Sequence, residues 1–211
     1  MKRYILVCLL LTLIVPDPNS AQTLGQLTTA AVASEGEGGI FLFAGNDAFR
    51  TGMMVRFELG KESDLGMQFG FDRVTGRNSL GGGLDFKFHL PVGIEEVAID
   101  FALDGSLGLL ESDDFRRLFI GIGLMASGVV RSSDDVALEP YTSLTILTTH
   151  RDWKVDPPPH AMRDFDERDD TDTDAVFRGG VKFPLSNEHQ LLVEVNINGK
   201  TTIGAAFNVI F

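Results

Sequence analysis

Charged residues recur at alternate positions along several stretches of this 211-residue chain, and their spacing is the first clue to chemistry. Arg56 lies two positions before Glu58, and Asp85 two before Lys87, so each pair would share one face of an extended strand. Acids and bases on one face can neutralise one another in a salt-bridge network or line a passage that filters ions. The full set of such candidates is Arg56, Glu58, Asp85, Lys87, Asp100, Asp104, Arg178, Lys182 and Glu194.

The positions between these charges are apolar, which predicts strands with two unlike faces. Phe86 and Phe88 flank Lys87, and Val193 and Val195 flank Glu194. Segments of this kind are separated by clusters of turn-forming residues. We predict an all-β chain of about ten antiparallel strands, with eight as the alternative. The segments are about 38–46, 52–60, 65–73, 80–90, 96–109, 117–130, 138–149, 175–185, 190–198 and 201–211.

The glycines indicate which face lies inside a closed barrel. Gly66, Gly83 and Gly121, with several others, share the charged face, where glycine would only weaken a strand that faced bulk water. In a crowded interior the same glycines leave room for long charged side chains from neighbouring strands. The sequence therefore predicts a polar interior and an apolar exterior, as in a closed up-and-down transmembrane β-barrel.

Two interpretations of such an interior stay open. The first is a salt-bridge network that fills the lumen, which we favour because small barrels pack their interiors with side chains. The alternative is a narrow porin-like channel for ions or small solutes. With the opposite orientation, apolar face inward, the chain would be a soluble periplasmic barrel that carries an apolar ligand.

The start of the chain indicates export. Lys2 and Arg3 precede an apolar stretch at 4–15, and a small-residue site follows, so we predict a signal peptide at residues 1–21. The only cysteine, Cys8, lies in this segment, so the mature chain would form no disulfide. Residues 22–37 are small and polar and are expected to form a flexible lead-in to a barrel at 38–211.

The last strand links these features to a known class. In residues 202–211 an alternating apolar face carries Phe207, Val209 and the terminal Phe211. This pattern resembles the closing strand of Gram-negative outer-membrane β-barrels, of the small OmpA/OmpX-like class. The resemblance implies an outer-membrane location, contact with membrane lipid and lipopolysaccharide, and recognition of these three residues by the barrel-assembly machinery. It also implies that both chain ends face the periplasm.

That sidedness places residues 150–174 outside the cell as a long acidic loop. The chain carries a formal net charge of -12, and much of the excess lies in this stretch, which disfavours nucleic acid as a partner. Asp170, Asp172 and Asp174 match the start of a calcium loop, but Ala175 and Val181 stand where that loop needs Gly and Glu. We therefore expect no defined metal site or cofactor, and at most loose binding of divalent cations.

An enzymatic role would depend on the histidines near the barrel rims. His150 and His160 fall in the predicted external loop, and His189 falls at the periplasmic side. Their spacing from Ser, Asp and Glu defines no catalytic arrangement. We therefore expect a non-enzymatic envelope protein that presents its acidic loop, with a rim enzyme acting on lipid A or peptides as the alternative.

Overall fold

The chain forms a closed antiparallel barrel with ten strands in its wall. The computed structural model describes residues 27–33, 35–45, 48–74, 77–92, 99–131, 137–154, 169–198 and 200–211. The predicted all-β class and strand number of ten are confirmed. None of the described residues forms a helix long and apolar enough to cross a membrane.

The strands have nearly the predicted positions. An additional two-residue strand, β7, pairs with β8 beside the wall. In chain order the elements are β1 Glu37–Gly45, β2 Ala48–Gly60, β3 Ser63–Val74, β4 Arg77–Leu90, β5 Ile99–Glu111, β6 Phe115–Gly128, β7 Val130–Arg131, β8 Ala137–Trp153, β9 Asp169–Pro184, β10 His189–Asn198 and β11 Lys200–Ile210.

Closure occurs between the first and last strands. Strand β1 pairs with β2 on one side and β11 on the other, with Glu37 opposite Ile210 and Gly45 opposite Thr202. Strand β6 pairs with β8, so the described wall is continuous. Gly36 and Phe211 extend the seam by exchanging backbone hydrogen bonds of 3.1 and 2.9 Å. A closed wall satisfies backbone groups that an open sheet would leave at its edges.

The two faces of the wall differ as the alternation predicts. Outward side chains are apolar and exposed: Ile122 and Phe69 keep 65% and 57% of their surface accessible. Inward charged side chains are nearly inaccessible, with 1% for Arg56 and 0% for Glu194. This polar-in, apolar-out order is that of membrane-spanning barrels, and it is opposite to the order that an apolar-ligand carrier needs.

The barrel has two unlike ends. One end, which we call the terminal end, has Gly36, Phe211 and the connections 61–62, 91–98 and 185–188. The loop end carries the connections 112–114 and 154–168. These correspond to the ends predicted as periplasmic and external.

Strands β8 and β9 extend further toward the loop end than predicted. Residues 150–153 and 169–174, which the sequence assigned to the acidic loop, belong to these two strands. Residues 150–152 pair with 169–171, with His150 opposite Thr171, and residues 172–174 pair with 147–149. Aspartate is disfavoured in strands, but the long partner strand supplies the pairing that outweighs this preference. The connection between the two strands is therefore 154–168.

Candidate functional site: the closed lumen

A buried ion cluster fills the terminal half of the lumen. Arg56 donates to Asp64 through Nη1 and to Asp85 through Nη2, in two short hydrogen bonds. Lys87 Nζ lies 2.9 Å from Asp64 Oδ2. All four side chains are at most 6% accessible. Buried charges this close stabilise one another, whereas any of them left alone would carry a large desolvation cost.

Strand register brings this cluster together, and a glycine makes room for it. Lys87 lies opposite Asp64, and Gly66 lies opposite both Asp85 and Arg56 on its two neighbouring strands. A Cβ atom at Gly66 would overlap the Asp85 carboxylate and the Arg56 guanidinium. The absence of a side chain at residue 66 therefore allows the salt bridge between β2 and β4 to pass across β3.

Further predicted lumen residues lie beside this cluster. Asp104 is 2% accessible and lies opposite Lys87 in the register, although its carboxylate accepts no hydrogen bond from the described residues. Arg178 is equally buried and donates to Thr145 Oγ1 at 2.8 Å. Lys182 pairs with Glu139 at 2.5 Å. The interior charges thus extend around the wall from β2 to β9.

Two predicted network residues lie elsewhere. Glu58 is exposed near the end of β2, where the pairing with β3 shifts register between Glu58 and Gly60. A bulge of this kind redirects the side chains around it. Asp100 lies at the terminal rim, 44% accessible, with one oxygen 3.3 Å from His89 Nε2. Neither acid therefore belongs to the buried cluster.

Residues 27–33 also lie inside the lumen, although the sequence predicted a flexible lead-in there. Leu27 and Ala30 are 0% accessible, and Ala33 is 6% accessible. The backbone N–H of Leu27 donates to Glu194 Oε2 at 3.1 Å, and that of Ala33 donates to Asp64 Oδ2 at 3.0 Å. We call residues 27–33 the lumen segment. It occupies the space that a conducting pore would need.

An apolar cluster closes the lumen nearer the loop end. Leu110, Phe119, Leu147 and Val176 pack together, each at most 4% accessible. Leu110 lies six residues beyond Asp104 along β5, on the same inward face. At about 3.4 Å per residue, roughly 20 Å of strand separates the two levels. The interior therefore holds buried charges at one level and buried hydrocarbon at another.

Arginine and aromatic side chains surround the mouth at the loop end. The guanidinium groups of Arg77 and Arg151 lie 5.6 and 5.5 Å from the ring centre of Trp153. Phe115 meets Trp153 edge to face at 5.7 Å, and Arg117 lies 5.0 Å from the ring of Phe115. Cation–π contacts of this kind hold long cationic side chains in place.

An exposed ion cluster lies beyond the last outward apolar residues of β5 and β6, Leu109 and Leu118. Glu111 accepts a hydrogen bond from Arg116 at 2.8 Å and a shorter one from Lys154. The bonds from Arg116 and then Lys154 lower the pKa of the Glu111 carboxyl to about 2. Glu111 therefore stays ionised throughout the physiological pH range.

Comparison with known proteins adds only distant likenesses. No protein family matches the sequence, and no curated protein matches it. Among solved structures, the chain is similar to a KdgM porin, with 10% identity, 83% of this chain and 99% of that chain covered, and a TM-score of 0.44. It is also similar to the β domain of the Bordetella autotransporter BrkA, with 9% identity, coverages of 85% and 100%, and a TM-score of 0.47. Values this low assign the chain to no family and no function.

The two described candidate histidines lie at opposite ends of the barrel. His150 is exposed and contacts Thr171 Oγ1 at 3.0 Å, and His189 lies 2.9 Å from Ser186 Oγ at the terminal end. His160 lies outside the described residues. These contacts bring neither described histidine to a carboxylate that could orient it for catalysis.

The acidic tract lies in β9. Asp172 and Asp174 are partly buried there, and the side chain of Asp170 lies outside the described part of the chain. Within the parts of the chain that the structure describes, no three His, Cys, Asp or Glu side chains are grouped to hold a metal ion.

Several lumen residues were missed in the sequence. Asp64 is the hub of the ion cluster, and Arg50 forms a buried pair with Asp72 at 2.6 Å. Asp64 and Arg50 lie one or two positions outside the predicted strands, on the charged face. Extending the alternation to the true strand ends would have found both.

Proposed function

We propose that this protein is a non-enzymatic outer-membrane β-barrel of the cell envelope whose lumen is closed at rest. The observation that supports this most directly is the contrast between the two faces of the wall. Exposed apolar side chains such as Ile122 and Phe69 lie on the outer face of the wall. An outer face of this kind would cost much free energy in water, whereas membrane lipid would cover it. The predicted signal peptide agrees with this location.

Closure of the lumen favours a structural or surface-presenting role over transport. The buried Arg56 cluster and the lumen segment occupy the terminal half of the interior together, and the Leu110 cluster lies nearer the loop end. Single-channel recording in planar bilayers tests this directly. We expect a folded, inserted barrel to show no conductance steps. Regular steps would contradict a closed lumen and support the narrow channel instead.

The loop end would then face the outside and present acidic residues. Asp152 is exposed on the outer face of β8, and the acidic tract of β9 begins opposite it, with Asp169 paired to Asp152. Surface labelling of intact cells tests this sidedness. We expect the variant Asp152→Cys to react with a membrane-impermeant thiol reagent, and the variant Asn187→Cys, at the exposed terminal end, to stay unlabelled.

The final strand supports the proposed route of assembly. Phe207, Val209 and Phe211 are 40%, 38% and 67% accessible on the outer face, where a partner protein could contact them. We propose that the barrel-assembly machinery reads these three side chains and that lipopolysaccharide and other membrane lipids surround the finished wall. Deletion of Phe211 should lower the amount of inserted barrel, while the internal substitution Phe207→Leu should retain most of it.

Insertion itself is tested by a charge on the outer face. Ile122→Arg should destabilise a lipid-embedded barrel by about 2–4 kcal/mol near the midplane, because the guanidinium must leave water. Urea unfolding in lipid vesicles, with Ile122→Leu as the control, measures this loss. An unchanged free energy of unfolding would contradict the membrane location.

A further inference from the structure

We propose that the lumen contains a peptide-binding site, and that the lumen segment, residues 27–33, is its resident ligand. This inference concerns the barrel interior and does not depend on the compartment. The lumen segment belongs to no strand, and it passes from the terminal rim into the interior. Its contacts are those expected of a peptide bound in a cleft.

The first argument is that side chains of the wall bind the backbone of the segment. Lys87 Nζ donates to the carbonyl oxygens of Thr29 at 2.7 Å and Ala31 at 2.6 Å. The backbone N–H of Ala30 donates to Ser127 Oγ at 3.1 Å. With the bonds from Leu27 to Glu194 and from Ala33 to Asp64, the wall binds three backbone N–H groups and two carbonyl oxygens of the segment. Backbone recognition of this kind gives affinity for an extended chain.

The second argument is that the same wall residues serve two partners. Asp64 accepts from Lys87 and Arg56 of the wall and also from the lumen segment. Glu194 Oε2 accepts from Tyr141 Oη at 2.9 Å as well as from Leu27. The ion cluster therefore fixes the orientation of the groups that hold the peptide, as the supporting groups of a binding site do.

The third argument is side-chain selectivity. Leu27 belongs to a buried apolar cluster inside the lumen, together with Phe41, Phe43, Met54, Tyr141, Leu192 and Ala206. Three residues later, Ala30 packs in a cluster with Ala102 and Met125. The site thus accepts one large apolar residue followed, at a distance of three, by a small one.

The backbone of Leu27 adds a fourth observation. Its φ angle is 46°, in the left-handed region that residues other than glycine rarely adopt. Such a conformation persists where the surroundings determine it, and here they are the Glu194 carboxylate and the apolar cluster. The occupant is therefore a peptide that is bound mainly through its backbone and that places a leucine-like residue in the apolar cluster.

The experiment uses the whole mature chain, folded before the segment is freed. A recognition sequence for a specific protease is inserted between Glu35, which is exposed, and Gly36, and the folded barrel is then cut. We expect the freed peptide to stay with the barrel through gel filtration and to exchange slowly with a fluorescent copy of residues 22–35. A copy carrying Leu27→Asp should fail to exchange, while one carrying Thr28→Ser should exchange normally.

Variants of the wall test the contacts. Lys87→Met removes the donor to both carbonyl oxygens and should speed release of the peptide by about tenfold or more, as expected for hydrogen bonds to a charged group. Arg50→Met is the matched control, because Arg50 is a buried cation that pairs with Asp72 at the loop end. Its release rate should equal that of the unmodified barrel.

Three results would overturn the proposal. The peptide could leave at once while the barrel keeps the gel mobility of the folded form, so that no site exists. Cutting could unfold the barrel, so that the segment is part of the folding core. Lys87→Met and Arg50→Met could release it equally fast, so that the contacts are not specific. A barrel that conducts ions, or that is soluble without detergent, would contradict the proposed function. The three results above could still be measured on such a barrel.

A labelling measurement on the uncut chain provides a second test. With Cys8 removed in the mature protein, the variant Ala30→Cys would carry a single thiol. This thiol should react slowly with a water-soluble reagent, and the added substitution Lys87→Met should accelerate that reaction. The thiol of the variant Glu35→Cys should react rapidly in both backgrounds. Rapid labelling of the Ala30→Cys variant with the wall unmodified would contradict a bound segment.

Discussion

The two halves of the lumen are built on the inward face of one wall, but different strands fill them with opposite chemistry. Strands β2, β3 and β4 supply the charged cluster, and strands β5, β6, β8 and β9 supply the apolar one. Toward the terminal end, Arg56, Asp64 and Lys87 neutralise one another and bind the lumen segment. Toward the loop end, Leu110 and Leu147 pack against hydrocarbon. Alternation therefore decides which residues point inward, but it does not decide whether they are charged or apolar. The buried pair of Arg50 and Asp72 shows that β2 and β3 carry charges at the loop end as well.

The largest loss of stability should come from removing one charge from the charged half of the lumen. Arg56→Met would leave Asp64 and Asp85 buried without their shared cation, and the expected loss of stability is about 3–5 kcal/mol. Urea unfolding in lipid vesicles measures it. The double variant Arg56→Met, Asp85→Leu removes the cation together with one acid, leaves the pair of Lys87 and Asp64 intact, and should recover most of the loss. If the free energy of unfolding did not recover, the charged half would depend on side-chain packing instead of charge compensation.

A smaller or equal loss is expected in the apolar half. Leu147→Ala creates a cavity between Leu110 and Val176, and such substitutions cost about 2–5 kcal/mol. Leu147→Met refills the volume and should cost less than about 1.5 kcal/mol. Both are read in the same unfolding assay. If Leu147→Ala were neutral, the loop-end cluster would be loosely packed and the comparison between the halves would fail.

The smallest effect concerns the exposed rim beyond both halves. Because its folded pKa is lowered to about 2, Glu111 stabilises the native rim fully above its ordinary value of 4.5, and the contribution is lost as pH falls toward 2. The contribution is small, since all three partners are solvent-exposed and salt screens them. A carboxyl NMR titration of Glu111 should show a midpoint near 2. Arg116→Gln should move the midpoint up, and an unmoved midpoint would contradict the pairing.

The wall could be predicted from sequence because period-two alternation reports directly on strands with unlike faces. In β6, large apolar residues alternate with glycines: Ile120, Ile122 and Leu124 with Gly121 and Gly123. This alternation is enough to predict the strand, the face that points outward and the space left inside the barrel. The ends of strands were less predictable. Acidic and threonine-rich residues at 169–174 resemble a loop in composition, and only pairing with β8 makes them strand.

The lumen segment could not be predicted, for a different reason. Its backbone carries most of the contacts, and every residue except proline offers the same N–H and C=O groups. Thr28, Thr29 and Ala30 therefore leave no pattern of charge or hydropathy to read. Leu27 is the one large apolar side chain involved, and a single leucine in a polar stretch is not informative. Glu58 was assigned to the lumen wrongly because it lies beside a register shift at the end of β2, which alternation alone does not reveal.

The seam between β1 and β11 has a consequence for biogenesis. The two strands that must meet lie at opposite ends of the barrel sequence, so nearly the whole chain has to be synthesised before they can join. Until then β1, whose residues 40–44 are apolar on both faces, has one bare edge that invites pairing with a wrong strand. The edge of β1 is therefore covered only when β11 pairs with it.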